Sequence, residues 1–506
     1  MHSAAHARST PDKLALILPD RGMELDFRTL EALSNQTAHL LRAKGLKRGD
    51  VVAALFDNGP EVFILGAAAQ RAGLYLTSIS TKVSAGDIAY ILEDSDARIL
   101  IASDENAALA REANAASDRP LFAWSFSKAG VPSWSELAAK EPETPIADES
   151  AGTDMLYSSG TTGRPKGIKF PLPDGPVDEE TSLMAMGRTL YGMGPDTVYL
   201  STSPLYHAAP LRWALAVVRM GGTVVVMERF DAARTLELIE RFKITHATFV
   251  PTHFVRMLKL PENVRARADV SSLEAVIHAA APCPVPVKQA MLDWWGPIVH
   301  EYYAGTETCG ITSIGPVEWL EKPGSVGRAV VGTLRITDDE ANPLPAGQTG
   351  NVCFADGPRF EYHKDPERTA QAYDRNGYAS MGDIGRVDDD GYLYLTDRKS
   401  FMIISGGVNI YPQEIENCLT VHPKVADVAV IGIPDDEMGE RVLAVVQPAP
   451  GVVGTEGLAD ELQAYARQHL GGVKAPRHFA FREDLPREPT GKLMKRRLVE
   501  EFRPNA

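Results

Sequence analysis

An α/β protein of at least two domains is the fold this sequence predicts, and three observations carry the prediction. The chain has 506 residues, too many for one compact core. Between residues 222 and 250 its apolar pattern alternates strand, helix and strand. After Asp397-Arg398 a second α/β pattern begins, just past a tight hairpin signal.

Each element follows from local chemistry. Residues 222–227 read as a buried strand. Asp231 can cap the next helix, whose inner face carries Ala232, Leu236 and Ile239 at i, i+4 and i+7. Residues 245–250 read as the following strand, and this spacing implies a parallel sheet covered by helices. Asp388-Asp389-Asp390-Gly391 marks a turn between strands at 385–387 and 392–395. Beyond Asp397-Arg398, residues 401–404 predict a short strand. Pro412 opens a helix with Ile415, Cys418 and Leu419 on one side. Strands near 425–433 and 441–447 and a helix near 458–469 follow. A domain boundary is expected near 397–400, leaving a C-terminal module of about a hundred residues, enough to fold alone.

Composition narrows the class. With 44% hydrophobic and 24% charged residues the chain is ordinary for a soluble globular protein. Its formal net charge of −15 argues against a nucleic-acid partner, because phosphate backbones select positive surfaces. The only dense basic run, Lys495-Arg496-Arg497, reads as a solvated helix face. Cys283, Cys309, Cys353 and Cys418 share no metal-ligand or redox spacing, which fits a reducing compartment. The apolar stretch at 62–69 is far too short to span a membrane, and no leader pattern precedes Pro11. A cytoplasmic protein without an integral membrane segment is expected.

The most informative segment is Tyr157-Ser158-Ser159-Gly160-Thr161-Thr162-Gly163-Arg164-Pro165-Lys166-Gly167. A strand at about 154–157 enters three glycines, four hydroxyls and a lysine within eleven residues. Glycines let several N–H groups converge on one anion, hydroxyls add donors, and Lys166 adds charge, a set suited to a polyphosphate. It is not a Walker A loop, whose glycine-lysine is followed by Ser or Thr.

This loop resembles the phosphate loop of the adenylate-forming (ANL) superfamily: acyl-CoA synthetases, luciferases and the adenylation domains of peptide synthetases. Six further segments match in the family's order. Pro204-Leu205-Tyr206-His207 is similar to its second motif, which places His207 beside the acyl carboxylate. His278-Ala279-Ala280-Ala281-Pro282 resembles the segment flanking adenine. Tyr302-Tyr303-Ala304-Gly305-Thr306-Glu307 resembles the motif in which Tyr303 packs on adenine, Thr306 contacts the α-phosphate and Glu307 holds Mg²⁺. Tyr378 through Asp383 resembles the ribose motif, with Asp383 accepting from the ribose hydroxyls and Arg398 nearby. The segment 405–412, with Gly406 and Gly407, resembles the border of the thiol tunnel, and Pro489-Thr490-Gly491-Lys492 the C-terminal lysine motif.

The resemblance therefore implies ATP, Mg²⁺ and coenzyme A as cofactors, with a small carboxylic acid as substrate. The implied fold is a large N-terminal domain (1–396) of helix-covered sheets with a β-barrel-like part. A hinge at 397–400 would join it to a small mobile α+β domain (401–506). The hinge residue is Ser400, where many relatives carry Asp or Lys. The implied catalytic groups are Lys492, Lys166, Thr306, Glu307 and His207. Candidate acid-pocket residues are His207, Trp213, Phe249, Thr252, Ala279, Ala280, Tyr302, Ala304 and Gly305. The whole chain is more similar to fatty-acid–CoA ligases than to acetate-specific enzymes, so a hydrophobic acid is expected. Loading of a carrier protein and non-catalytic nucleotide binding are the competing expectations, and a homodimer is among the expected assemblies.

Overall fold

Buried apolar strands and capped helices build the chain into two compact units. One comprises Met1–Phe249, Leu260–Ile277 and Arg359–Ala370; the other comprises Val250–Lys259, His278–Pro358 and Gln371–Ala506. The structure is a computed structural model that describes residues 2–115, 119–125, 131–158, 164–435, 437–472, 474–487 and 493–502.

The first unit contains the strand–helix–strand rhythm read from the sequence. Thr223–Val226 is buried along its length and lies between Leu14–Leu18 and Val198–Ser201, parallel to both. His246–Phe249 extends the row beside Val198–Ser201. Asp231 accepts from the Arg234 amide and starts the helix Ala232–Phe242, which buries Leu236, Leu238 and Ile239. Strands covered on both faces need the continuous apolar runs that this segment has.

A second sheet of the same unit orders Leu121–Ala123, Ala97–Ala102, Val51–Leu55, Tyr75–Ser78 and Thr153–Asp154, all parallel. The single strand expected at 154–157 is in fact two strands in two sheets. Thr153–Asp154 pairs with Tyr75–Ser78. Leu156–Ser158 instead forms an antiparallel hairpin with Lys166–Lys169, and Glu361–Tyr362 flanks the latter. Between them the side chain of Met155 is fully buried in the core beneath the parallel sheet.

In the second unit the part that the resemblance casts as barrel-like is an antiparallel sheet of Thr333–Thr337, Gly350–Ala355, Ala379–Val387 and Leu393–Arg398. Its last hairpin has the expected turn, with Val387 opposite Leu393 and Lys322 on Asp388 at 3.0 Å. Residues 401–506 carry their own sheet, ordered Val408–Ile410, Ile403–Ser405, Gly439–Pro448 and Val425–Asp435, with His478–Phe481 parallel to Gly439–Pro448. Helices Pro412–Thr420 and Glu456–Leu470 pack on it through Ile415, Leu419, Leu458 and Leu462. The first strand starts later than expected because Lys399–Phe401 is a 3₁₀ turn.

The basic run near the C-terminus departs from its expected role. Arg496 and Arg497 are exposed, but Lys495 is 6% exposed, its ammonium 2.8 Å from Glu416 and above the Phe401 ring. Helical periodicity is the reason: Lys495 shares the inward face with Leu498, three residues on. A buried lysine needs a carboxylate, and Glu416 supplies it.

A second buried carboxylate makes the first unit's stability depend on pH. Glu61 sits in the first turn of the helix Pro60–Arg71 and is 4% exposed, with Arg21 3.9 Å away. Burial raises its carboxyl from 4.5 to about 7. Protonated Glu61 therefore favours the fold fully below pH 4.5, and this contribution, about 3 kcal/mol, is lost as pH rises through 7. Glu61→Gln removes the titration and keeps the shape. The melting temperature of the variant minus that of the parent is expected to rise between pH 4.5 and 8 in a thermal-shift series; a flat difference would refute the assignment.

Candidate active site

The residues on either side of the expected phosphate loop form an antiparallel hairpin, Leu156–Ser158 with Lys166–Lys169. Ser158 and Lys166 stand directly opposite each other, one residue pair beyond Tyr157 and Gly167. The legs are held from outside: the Tyr157 hydroxyl donates to Asp94 at 2.6 Å, and the Gly167 carbonyl accepts from the His363 amide at 2.8 Å. Burial, reinforced by Asp94, pushes the Tyr157 phenol far above its ordinary range, so it stays a donor. Gly167 must be glycine, because a Cβ there would lie 2.9 Å from the Tyr157 ring. The Lys166 ammonium lies 5.3 Å from the centre of the Tyr362 ring and the Arg164 guanidinium 5.1 Å from that of Tyr90. With His363, Asp365 and Arg368 they line a mainly basic cavity of about 140 Å³, suited to anionic oxygens. Ser159, Gly160, Thr161, Thr162 and Gly163 lie outside the described residues.

His207 precedes the helix Ala208–Met220, half-buried, with its ring 4.7 Å from that of Tyr206. A residue outside every motif organises this turn. Asn58 is 4% exposed; its amide donates to the carbonyls of Ser203 at 3.2 Å and Met227 at 2.7 Å, and its oxygen accepts from the Leu205 amide at 2.8 Å. Three backbone groups around Pro204–His207 thus converge on one side chain. Asn58 lies nearly 150 residues from the motif, so no local pattern announces it. Trp213, 1% exposed, packs on Tyr191 at 5.8 Å between ring centres, and Phe249 is 3% exposed.

In the second unit two motifs that the sequence keeps apart are joined directly. The Tyr303 hydroxyl donates to Asp383 Oδ2 at 2.5 Å, and Arg398 Nε lies 3.2 Å from Asp383 Oδ1. Burial and the neighbouring Asp383 charge hold the Tyr303 phenol well above its ordinary range. Its ring stacks on Phe354 at 6.3 Å. Gly305 faces Met381 so closely that a Cβ would lie 2.3 Å from the sulfur. Behind this turn Glu301, 5% exposed, receives Lys288 at 2.7 Å and lies 3.3 Å from His278, tying the segment at 278–282 to the strand Val299–Tyr303. Burial alone would raise the Glu301 carboxyl, but His278 and Lys288 outweigh it and hold it at about 2. Sequence reading missed Glu301 and Lys288, whose only signal is that charged residues sit where helix and strand periodicity turns inward.

The other expected residues fall as follows. Ala280, Ala281 and Pro282 are exposed and Ala279 is half-buried; Ala280 takes a left-handed φ of 72°, a strained choice for a residue with a Cβ. Tyr302, Ala304, Thr306 and Glu307 are half-buried, and Thr252 is half-buried in the first turn of the helix Pro251–Leu258. Gly406 and Gly407, with φ of 57° and 77°, form the two-residue turn between Ile403–Ser405 and Val408–Ile410, so turn geometry alone requires glycine there. Ser400 is exposed. Lys492 lies outside the described residues.

These donors fit the implied groups. Asp383 is an acceptor-only carboxylate held in place by Tyr303 and Arg398, the type of group that ribose hydroxyls require. Among the described residues no set of three His, Cys, Asp or Glu could cage a metal, while Mg²⁺ beside phosphates needs only one or two carboxylates, which Glu307 can supply. Asn58→Ala frees the Pro204–His207 turn; it is expected to lower kcat/KM for the acid at least about tenfold while KM for ATP changes little. Steady-state pyrophosphate release at varied acid and ATP checks this, and equal loss for both substrates would reject it.

Comparison with known proteins gives the family. Residues 3–359 match the AMP-binding enzyme family and residues 414–492 the AMP-binding enzyme C-terminal domain. A long-chain-fatty-acid–CoA ligase of Mycobacterium tuberculosis is 32% identical, over 98% of this chain and 97% of its own. A fatty acid–[acyl-carrier-protein] ligase of Streptomyces coeruleorubidus is 31% identical, over 98% of this chain and 95% of its own. The ATP-bound structure of MatB from Rhodopseudomonas palustris superposes with a TM-score of 0.83 at 28% identity, covering 99% of both chains. The chain belongs to the AMP-binding enzymes, in the acyl-CoA synthetase branch of the adenylate-forming superfamily.

Proposed function

We propose that this acyl-CoA synthetase activates a hydrophobic carboxylic acid, of the medium- or long-chain fatty, aromatic or sterol-side-chain class, and transfers its acyl group to coenzyme A. The reading is carried by the Tyr303–Asp383–Arg398 group, together with the presence in the same chain of a glycine- and hydroxyl-rich segment followed by Lys166. The first suits a ribose, the second a triphosphate.

A carboxylate resists thiol attack because its leaving group is poor. In the first half-reaction the acid oxygen attacks the α-phosphorus, and the bond to the β-phosphate oxygen breaks with its electron pair leaving on pyrophosphate. Lys166 and the loop amides take the charge gathering on pyrophosphate, Thr306 and Lys492 hold the reacting centre, and His207 borders the acid carboxylate. Glu307 would hold Mg²⁺, which would supply charge neutralisation for the phosphates. In the second half-reaction the thiol sulfur attacks the acyl carbon and AMP departs. Rotation of residues 401–506 about Ser400 exchanges Lys492 for the Gly406-Gly407 turn between the steps.

A second reading, acyl transfer to a carrier protein, is favoured by the Streptomyces relative, whose name gives that acceptor. A non-catalytic nucleotide binder does not account for Lys166, Glu307, Asp383, Arg398 and Lys492 occurring together.

A panel of acids assayed for AMP and pyrophosphate with free coenzyme A tests the function; hydrophobic acids are expected to turn over, and inertness to every acid would end the reading. Lys492→Ala is expected to cut adenylation at least about a hundredfold and largely spare thioester formation from preformed acyl-adenylate. An equal fall in both steps would reject that division. Tyr302→Gly is expected to broaden acid tolerance, read as relative kcat/KM across chain-length and aromatic series.

A further inference from the structure

We infer that Arg212 is a positioning residue for adenylation, tying the helix behind His207 to the residues just before and just after the phosphate-loop hairpin. The inference rests on the function proposed above and adds a residue to it.

Arg212 lies five residues after His207, on the helix Ala208–Met220. Its Nε lies 3.1 Å from Asp154 Oδ1 and its terminal nitrogen donates to Oδ2 at 2.7 Å, a forked pair. Asp154 precedes the hairpin's first strand by two residues. The same guanidinium lies 5.8 Å from the ring centre of Phe170, which directly follows the second strand, Lys166–Lys169. One side chain therefore touches the chain where it enters the loop hairpin and where it leaves.

This contact is not what holds the helix on its sheet. Leu211, Trp213, Ala214 and Val217 are nearly fully buried and do that already. Arg212 belongs to a different stripe, with Leu215 and Arg219 at i+3 and i+7. Leu215 packs against Gly66, and Arg219 donates to the carbonyls of Val177 and Glu179. The stripe joins the helix to its neighbours, and Arg212 is its end nearest His207. The pair is about four-fifths shielded from solvent, 20% and 18% exposed, so water weakens it less than a surface pair.

The chemistry gives the tie its use. Adenylation needs the acid carboxylate, bordered by His207, in line with the phosphate that the hairpin holds. The enzyme forms no covalent bond to either, so relative placement is most of what the protein contributes, and an error of about 1 Å costs on the order of a hundredfold. Asn58 fixes the His207 turn from one side, and Arg212 fixes the distance from that turn to the loop. Thioester formation starts from an acid already joined to AMP and does not need that distance set.

The experiment compares Arg212→Gln, Arg212→Lys and Asp154→Asn with the parent in both half-reactions, with melting temperatures recorded. Arg212→Gln and Asp154→Asn are expected to lower kcat for acid-dependent pyrophosphate release about 10- to 100-fold. KM for ATP and acid, and thioester formation from preformed acyl-adenylate, are expected to stay within about threefold. Arg212→Lys, which keeps the charge and loses the fork, is expected to fall between. Equal losses in both half-reactions, or unchanged adenylation, would overturn the assignment. If Arg212→Gln fails to fold, Asp154→Asn decides by the same criteria. A parent inert to every acid would remove the functional reading and this inference with it; an active parent whose variants lose both steps alike would overturn the inference alone.

Discussion

Two carboxylates brace the base of the phosphate-loop hairpin, one bonded to its first strand and one two residues before that strand. Asp94 receives the Tyr157 hydroxyl and Asp154 the Arg212 guanidinium, at 2.6 and 2.7 Å. A glycine-rich phosphate loop offers backbone amides and few side chains to its ligand. Its precision has to be supplied from the base. Charge-assisted hydrogen bonds there are short and directional, and partial burial keeps water from competing. The energetic scale of either bond is modest for folding but large for a reaction whose rate depends on alignment.

The same logic recurs wherever this chain buries a polar group. Asn58 satisfies three backbone groups around the His207 turn. Glu301 gathers Lys288 and His278 behind the Tyr302–Glu307 turn, and Glu416 receives Lys495 under the C-terminal sheet. An apolar core would be content with many side-chain arrangements of similar volume, whereas a buried hydrogen-bonding group accepts few. These clusters lie directly behind the motif segments, one step removed from the ligands those segments are expected to hold. Each therefore restricts a backbone that its own motif, built of small residues and turns, leaves loose.

The expected hinge has a comparable arrangement. Asp397 accepts from the amide of Gln413 at 2.9 Å, capping the helix Pro412–Thr420 from across Ser400, and Lys399 reaches Asp339 at 2.5 Å. Ser400, directly after them, is exposed. A small side chain with no charge leaves the backbone turn at that point to φ and ψ alone, while the residues just before it carry the polar contacts.

Sequence alone determined the α/β class, the strand–helix–strand rhythm around Thr223–Val226, the hairpin at 388–391 and the family to which the seven motif segments point, because all of these are written in short-range patterns: periodicity, turn chemistry and the composition of a phosphate loop. It could not foresee that residues 154–157 divide between two sheets, since strand propensity does not say which partner a strand will find. It misjudged Lys495, whose exposure depends on which face of a helix meets a sheet formed by distant residues. Tertiary structure decided the long-range pairs, Tyr303 with Asp383, Asn58 with Leu205 and Arg212 with Asp154, which lie 80, 147 and 58 residues apart in sequence. A hydrogen bond has a reach of about 3 Å and no memory of chain distance, so only the folded core can choose its partners.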